Sequence, residues 1–220
     1  MKKATYLWRR MSAFAVAAIV MSSSLSLQSV NAAKKMSAEE IKKYRQILEN
    51  KEYIQASGHL IYDDADFMFY DINNDSRKDL IISGPFGLRS VFGTVVYSYD
   101  GKKFHCSTKR GDVAGISKKG IELYDRDYEG IGEIIYESVV VYQLNPNGKL
   151  KEKTMSDSVT NMIEPSSEKK YYKYNNSGKK IKISKSAYKK LRKKYNLKQI
   201  DSTNGMHEIN NFNIEKYINE

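Results

Sequence analysis

Residues 67–82 read FMFYDINNDSRKDLII, in which two short apolar runs enclose a polar and acidic loop. The runs contain Phe, Tyr, Ile and Leu, which favour half-buried β-strands. Two strands joined by so few residues predict an antiparallel hairpin, because a parallel neighbour needs a crossover of roughly a dozen residues or more.

Further runs of the same kind follow this hairpin. They are TVVYSY at 94–99, IELY at 121–124 and IIYESVVVYQL at 134–144, and turn residues occur at 100–101 (Asp-Gly) and 145–148 (Asn-Pro-Asn-Gly). The close spacing favours hairpins over crossover helices. Residues 58–150 therefore predict a β-rich module of mostly antiparallel strands.

The first hairpin has a weak second copy. IELYDRDYEGIGEIIY at 121–136 aligns with residues 67–82, with acidic positions and flanking apolar residues in register. Two hairpin modules with two acidic loops explain the match. The alternative is a chance similarity between two acidic turns.

A helix is predicted before the β-rich module. Residues 37–40 (Ser-Ala-Glu-Glu) have the spacing of a capping box, and Ile41, Tyr44 and Leu48 recur at helical spacing. Residues 33–57 therefore predict an N-terminal helix and a linker.

A basic hairpin and a second helix are predicted after the module. Residues 151–168 are polar and are typical of a linker or long loop. Residues 169–220 predict a strand–turn–strand, a helix capped by Ser184 and a C-terminal segment. The predicted fold class is α+β, a small antiparallel β module flanked by an N-terminal and a C-terminal helix.

Residues 1–32 have the organisation of a signal peptide. A cationic start precedes an apolar stretch, and Val30-Asn31-Ala32 fits cleavage after Ala32; a retained N-terminal anchor is the alternative. No transmembrane segment is expected in the mature chain, which we predict to be secreted or associated with the cell wall. With Cys106 as the single cysteine, no internal disulfide can form.

The positive charge of the chain is concentrated in one segment. Lys and Arg number 37 against 26 Asp and Glu, a formal net charge of +11, yet thirteen cations lie in residues 169–198. The body before this segment is mildly acidic. The 40% content of apolar residues excludes a collagen-like or wholly disordered chain.

The acidic loop of the first hairpin has the composition of a cation site. Asp71, Asn73, Asp75 and Asp79 occupy positions 1, 3, 5 and 9 of the loop, and hard cations such as Ca²⁺ bind oxygen ligands of this kind. An EF-hand is disfavoured, because its twelfth position would be Ile82 in place of a bidentate Glu. The alternative is a solvated acidic turn closed by its own Asx hydrogen bonds.

YDINNDSRKDLIISGPF followed by FGTVVYSYDG resembles one FG-GAP unit, the repeat of integrin propellers and VCBS-type secreted bacterial proteins. The resemblance implies one Ca²⁺ held by Asp71, Asn73, Asp75 and Asp79 with the backbone carbonyl of Arg77. Ser76 departs from the family, which has Gly there. Asp125, Asp127, Glu129 and Glu133 correspond in the second copy, as a weaker site. The sequence is too short for the four or more blades of a closed propeller.

The order of export signal, helix, acidic hairpin and basic C-terminal segment is similar to that of small secreted proteins of Gram-positive, Clostridia-like bacteria. This similarity implies an extracellular compartment. It does not imply an activity.

No catalytic constellation is recognisable. The three histidines lack the spacing of a zinc site, and His105 and Cys106 would point to opposite faces of a strand. We therefore expect no catalytic residues, although a secreted hydrolase is kept as a less favoured alternative.

The basic segment offers candidate ligands for a polyanion. Outside a Gram-positive cell the expected polyanions are wall teichoic acid and anionic lipid headgroups, and nucleic acid is not expected. The alternative is that the lysines only solvate an exposed helix face. The candidates are Lys179, Lys180, Lys182, Lys189, Lys190, Arg192, Lys193 and Lys194.

The sequence thus predicts an exported, non-enzymatic, calcium-binding β-rich module. Its partner would be a surface protein or glycan. The main alternative is a binder of anionic wall polymer through residues 169–198.

Overall fold

The apolar runs at residues 67–70 and 80–83 form the predicted antiparallel hairpin, with Phe67 opposite Ile82 and Tyr70 opposite Asp79. The computed structural model of the chain describes residues 35–58, 60–86, 91–129, 134–163, 168–175, 177–200 and 205–220. The predicted signal segment, residues 1–32, lies outside these ranges. Among the described helices, none is long and apolar enough to cross a membrane.

Twelve strands and four α-helices occur within the described residues. In chain order they are α1 (Ala38–Leu48), α2 (Lys51–Gly58), β1 (Asp66–Tyr70), β2 (Asp79–Phe86), β3 (Val91–Tyr99), β4 (Phe104–Arg110), β5 (Asp112–Ser117), β6 (Gly120–Glu129), β7 (Ile134–Leu144), β8 (Leu150–Asn161), β9 (Lys170–Tyr174), β10 (Lys180–Ile183), α3 (Lys185–Tyr195), β11 (Lys198–Gln199), β12 (His207–Glu208) and α4 (Asn211–Ile218). One turn of 3₁₀-helix spans Tyr62–Asp64.

The strands form two open antiparallel sheets. The first has five strands in the order β12-β1-β2-β3-β4, and the second has seven in the order β10-β9-β8-β7-β6-β5-β11. The predicted α+β class with antiparallel pairing is confirmed, and neither sheet closes into a propeller. The two copies of the acidic motif lie in different sheets, because β1 and β2 belong to the first and β6 and β7 to the second.

The first sheet is covered on both faces because its apolar side chains alternate along the strands. Phe67, Leu80 and Val95 belong to a core that includes Tyr44 of α1 and Ile214 of α4. The neighbouring residues point the other way. Met68, Ile81 and Val96 belong to a second core with Ile121, Leu123 and Val140 of the second sheet.

The outer face of the second sheet is covered by α3. Tyr188 of this helix packs on Tyr171 of β9, with ring centroids 5.0 Å apart. The Ser117 hydroxyl donates to the Tyr195 carbonyl at the end of the helix. The layers are therefore, in order, α1 with α4, the first sheet, the second sheet and α3.

Both predicted helix caps are confirmed. At α1, the Glu40 backbone N–H donates to Ser37 Oγ (3.2 Å), and the Ser37 N–H donates to Glu40 Oε2 (2.7 Å), which completes the capping box. At α3, the Ala187 N–H donates to Ser184 Oγ (3.2 Å). The helix ends at Tyr195, and the following C-cap residue, Asn196, has a left-handed φ of 49°.

Residues 151–168 are not the predicted linker or long loop over most of their length. They contribute β8, which pairs with β7 on one side and β9 on the other. Its buried side chains include Thr154, Ser156 and Ser158, which are small and polar and gave no hydrophobic signal. Backbone pairing on both edges stabilises the strand where composition does not.

The C-terminal residues are part of both sheets. β12 pairs with β1, and β11 pairs with β5. The described residues accordingly belong to one compact unit and not to a β-rich module with a separate appendage.

Candidate functional site

Two buried carboxylates hold the ends of the first acidic loop, which connects β1 to β2. Asp71 and Asp79 are 5% and 1% exposed. Asp71 accepts the backbone N–H groups of Asp75 and Ser76 through separate oxygens, each at 3.1 Å. Asp79 Oδ2 accepts the N–H of Ile72 at 3.1 Å. The loop is therefore organised around carboxylates at its base.

Asn73 and Asp75 form the outer part of the loop. Asn73 Oδ1 accepts the Asp75 N–H (3.1 Å), its Nδ2 donates to Asp75 Oδ2 (3.1 Å), and Asp75 Oδ1 accepts the Arg77 N–H (2.8 Å). All four predicted ligands thus lie in one loop, where they bond to its backbone and to each other. Within the described residues, no group of three or more His, Cys, Asp or Glu side chains has the arrangement of a metal site.

Two residues of the loop have left-handed backbone. The φ angles of Asn74 and Ser76 are 61° and 68°. Asn tolerates this region, whereas Ser is strained there. Ser76 occupies the position at which the FG-GAP resemblance expects Gly, so the geometry explains that preference.

Replacing Ser76 with Gly is expected to raise the free energy of unfolding by about 0.5 to 1 kcal/mol, because relief of left-handed strain exceeds the entropy that Gly adds to the unfolded chain. Urea denaturation monitored by circular dichroism measures the change. Ser177→Gly is the control, since the Ser177 hydroxyl bonds to Asn175 at an exposed turn. That variant should be no more stable than wild type. Destabilisation by Ser76→Gly would contradict the strain.

Helix α1 lies behind the loop and contributes a further buried carboxylate. Glu40 is 4% exposed, and its Oε1 has no hydrogen-bond partner, whereas Oε2 completes the helix cap. The Tyr44 hydroxyl, one turn later, donates to the Lys78 carbonyl at the end of the loop (3.1 Å). The capping-box pattern revealed Glu40 as a cap. Only the packing of α1 on the first sheet shows that the Glu40 side chain is buried behind the loop.

The electrostatic environment of the loop disfavours the ionised form of Asp79. Burial raises the pKa of Asp79 well above its ordinary value, the Ile72 N–H opposes this, and the charges of Asp75, Asp71 and Glu40 raise it further. The nearest guanidinium is directed elsewhere: Arg77 donates to the Tyr99 carbonyl (3.4 Å) and lies over the Tyr99 ring.

The second acidic motif is placed in a strand and not in a loop. Asp125 and Asp127 lie within β6, and both form ion pairs with Arg110 of β4, at 2.7 and 3.0 Å. Glu129 ends the strand and Glu133 lies outside the described residues. Strand-compatible residues between the acids, Arg126 and Tyr128, let β6 continue where the first copy has a turn-forming Asn-Asn-Asp-Ser run.

The predicted polyanion ligands divide into three groups. On the β9–β10 hairpin, Lys179 and Lys182 are exposed, and Lys180 pairs with Asp157 (2.6 Å) and lies over the Tyr172 ring. On α3, Lys189 and Arg192 line a recess beneath the helix. The remaining residues, Lys190, Lys193 and Lys194, are exposed on the rest of α3.

The candidate nucleophile and base do not meet. His105 Nε2 lies 2.7 Å from Asp100 Oδ2, and this contact lowers the pKa of Asp100. Desolvation raises the pKa of the neighbouring Cys106 thiol, which weakens it as a nucleophile. His207 stacks on Tyr217 with centroids 3.6 Å apart.

Comparisons with protein-family models, with curated proteins and with solved structures found no match to this chain. The FG-GAP resemblance therefore stays a prediction based on the loop residues.

Proposed function

We propose that the mature chain is an exported, non-enzymatic, calcium-binding β-rich module that acts at the cell surface as a binding protein. The proposal rests on the buried carboxylates at the first acidic loop. Asp71, Asp79 and Glu40 are each at least nine-tenths buried, and Glu40 Oε1 is without a partner.

The charge balance at the loop supports a cation. Among the described residues, Asp71, Asp75, Asp79 and Glu40 form no ion pair. Burial of an ionised carboxylate without a counter-charge costs several kcal/mol. A bound cation would supply the missing positive charge. Because every candidate donor is an oxygen, Ca²⁺ is favoured over zinc or copper.

The same residues that close the loop would hold the ion. Asp71 and Asp79 are positioned by the strand ends, and Asn73 and Asp75 would exchange their mutual hydrogen bond for the cation. The Arg77 carbonyl is the backbone ligand that the resemblance implies. We assign no calcium to the second motif, because Asp125 and Asp127 are already paired with Arg110.

A surface recess next to the loop supports the binding role. It measures about 350 Å³ and is bordered by Asn73, Asp75, Tyr99, Asp100 and Asn145. Because these residues come from connections of both sheets, an ion in the loop would fix one wall of the recess. A surface glycan or protein is the partner we propose.

Calcium is expected to stabilise the protein. At about 10 mM free Ca²⁺ and a dissociation constant of about 0.1 to 1 mM, as is typical of extracellular sites, the free energy of unfolding should rise by about 1.4 to 2.7 kcal/mol. The melting temperature should rise by about 3 to 10 °C over that in EDTA. Differential scanning calorimetry and isothermal titration calorimetry measure the two quantities.

Two carboxamide variants make this test specific. Asp75→Asn preserves side-chain size at an outer ligand and should weaken calcium binding by about tenfold or more with little change of stability in EDTA. Asp63→Asn removes an exposed carboxylate paired with Lys51 and should leave the calcium effect unchanged. Equal melting temperatures in calcium and EDTA for the wild type, with no heat of binding, would refute the proposal.

A further inference from the structure

A second recess lies between α3 and the outer face of the second sheet. It measures about 340 Å³ and combines groups from β6, β9 and α3. The residues that matter for its chemistry are Glu122, Tyr171, Lys185, Tyr188, Lys189 and Arg192. No residue of the first acidic loop lines this recess.

The floor of the recess is an incompletely bonded ion pair. Glu122 is 3% exposed, and its Oε1 accepts from Arg192 Nη2 at 2.6 Å. Its Oε2 has no hydrogen-bond partner, and neither does Arg192 Nε. A bidentate Arg–carboxylate pair would use these atoms on each other. Here one buried acceptor and one buried donor remain available to a ligand.

The wall is aromatic. Tyr171 and Tyr188 pack together with ring centroids 5.0 Å apart and an interplanar angle of 35°. Tyr188 is buried and bonds through its hydroxyl to Ser156, so it fixes Tyr171, which remains partly exposed. A partly exposed ring of this kind gives a flat surface for the apolar face of a sugar.

The mouth is cationic. Lys185, Lys189 and Arg192 lie on one face of α3, at spacings of four and three residues. Lys185 and Lys189 are exposed and form no ion pair among the described residues. Lys169 also lines the recess, so four cations surround the single carboxylate of Glu122. An acidic group is attracted to the mouth, whereas the floor needs a hydrogen-bond donor.

We propose that this recess binds an anionic saccharide unit, a sugar that carries a phosphate or carboxylate group. A sugar hydroxyl donates to Glu122 Oε2, and the acidic group accepts from Arg192 Nε and the mouth lysines. The ring packs on Tyr171. Recognition by charge alone would not satisfy both requirements, because an anion without a hydroxyl group, such as sulfate, offers no donor to Glu122 Oε2. This site is independent of the proposed calcium site and identifies a ligand class for the basic segment.

The first test compares small probes by isothermal titration calorimetry in EDTA, which keeps the outcome separate from that of the calcium proposal. Glucose 6-phosphate or glucuronate should bind about tenfold or more tightly than either glucose or inorganic sulfate, because each of the latter satisfies only half of the site. Inorganic sulfate binding as tightly as both acidic sugars would overturn the proposal, as would the absence of heat with every probe.

The second test uses charge-matched variants of α3. Lys185→Gln/Lys189→Gln should weaken binding of the preferred acidic sugar by about tenfold, because two mouth charges are lost. Lys190→Gln/Lys193→Gln removes the same charge from the other faces of the helix and should change binding by less than about twofold. Equal weakening by the two double variants would mean diffuse attraction and would overturn the proposal.

A floor variant tests the donor requirement. Glu122→Gln keeps the shape of the side chain and should lower the preference for glucose 6-phosphate over inorganic sulfate by about tenfold, while circular dichroism verifies folding. If this variant does not fold, Tyr171→Leu at the partly exposed wall takes its place and should lower the same preference by about tenfold. An unchanged preference in the folded variant would contradict the assigned contacts.

Discussion

Replacement of Tyr44 by Ala is expected to lower the free energy of unfolding by about 3 to 5 kcal/mol, the range for truncation of a buried aromatic side chain. Tyr44 is fully buried, and its ring contacts Phe69 and Phe104 with centroids 5.6 and 5.5 Å away. The substitution leaves a cavity between α1 and the first sheet. Urea denaturation followed by circular dichroism measures the loss.

Tyr44→Phe separates packing from hydrogen bonding. It keeps the ring and removes the bond from the hydroxyl to the Lys78 carbonyl, for an expected cost of about 1 kcal/mol. Because that bond ties α1 to the acidic loop, both variants should also weaken calcium binding under the proposed function. A loss of less than about 1 kcal/mol for Tyr44→Ala would show that α1 is not part of the core.

Replacement of Gly120 by Ala is expected to cost about 2 to 5 kcal/mol, the sum of backbone strain and a steric clash. Gly120 begins β6 with a φ of 153°, and an added Cβ would lie 2.3 Å from the Tyr142 carbonyl oxygen of β7. Neither group can withdraw without separating the two strands. The second sheet should therefore lose stability along its central pair, as measured by urea denaturation.

Gly178→Ala is the matched control for this prediction. Gly178 also has positive φ, 78°, but no heavy atom lies within 4 Å of the added Cβ. It should lose only the strain contribution, about 1 to 2 kcal/mol. Equal losses at the two positions would contradict the clash with Tyr142.

The elements that could be predicted are those specified by neighbouring residues. α1 and α3 were identifiable from their Ser caps and apolar spacing, and β7 from its high content of Val, Ile and Tyr. β8 could not be identified in this way. Its sequence LKEKTMSDSVTN has little apolar content, and its strand geometry depends on hydrogen bonds to β7 and β9.

The acidic motifs show the same division at the level of the site. Their sequences align, yet the first forms a loop around buried carboxylates and the second extends along β6. The difference at the second motif involves Arg110, which is fifteen residues before Asp125 in the sequence and reaches it from β4 of the other sheet. Counter-charges supplied by another strand leave no trace in the local pattern.

Caps, turns and the first hairpin depend on interactions within a few residues, so their positions follow from the order of the amino acids alone. The stacking of two sheets, the pairing of β12 with β1, the unpartnered Glu40 oxygen behind the loop and the contact of Glu122 with Arg192 bring together residues far apart in the chain. Such contacts form because apolar faces must be covered and buried charges compensated. The sequence offers many segments that could meet these needs and does not indicate which of them does. Packing of the complete chain selects among them.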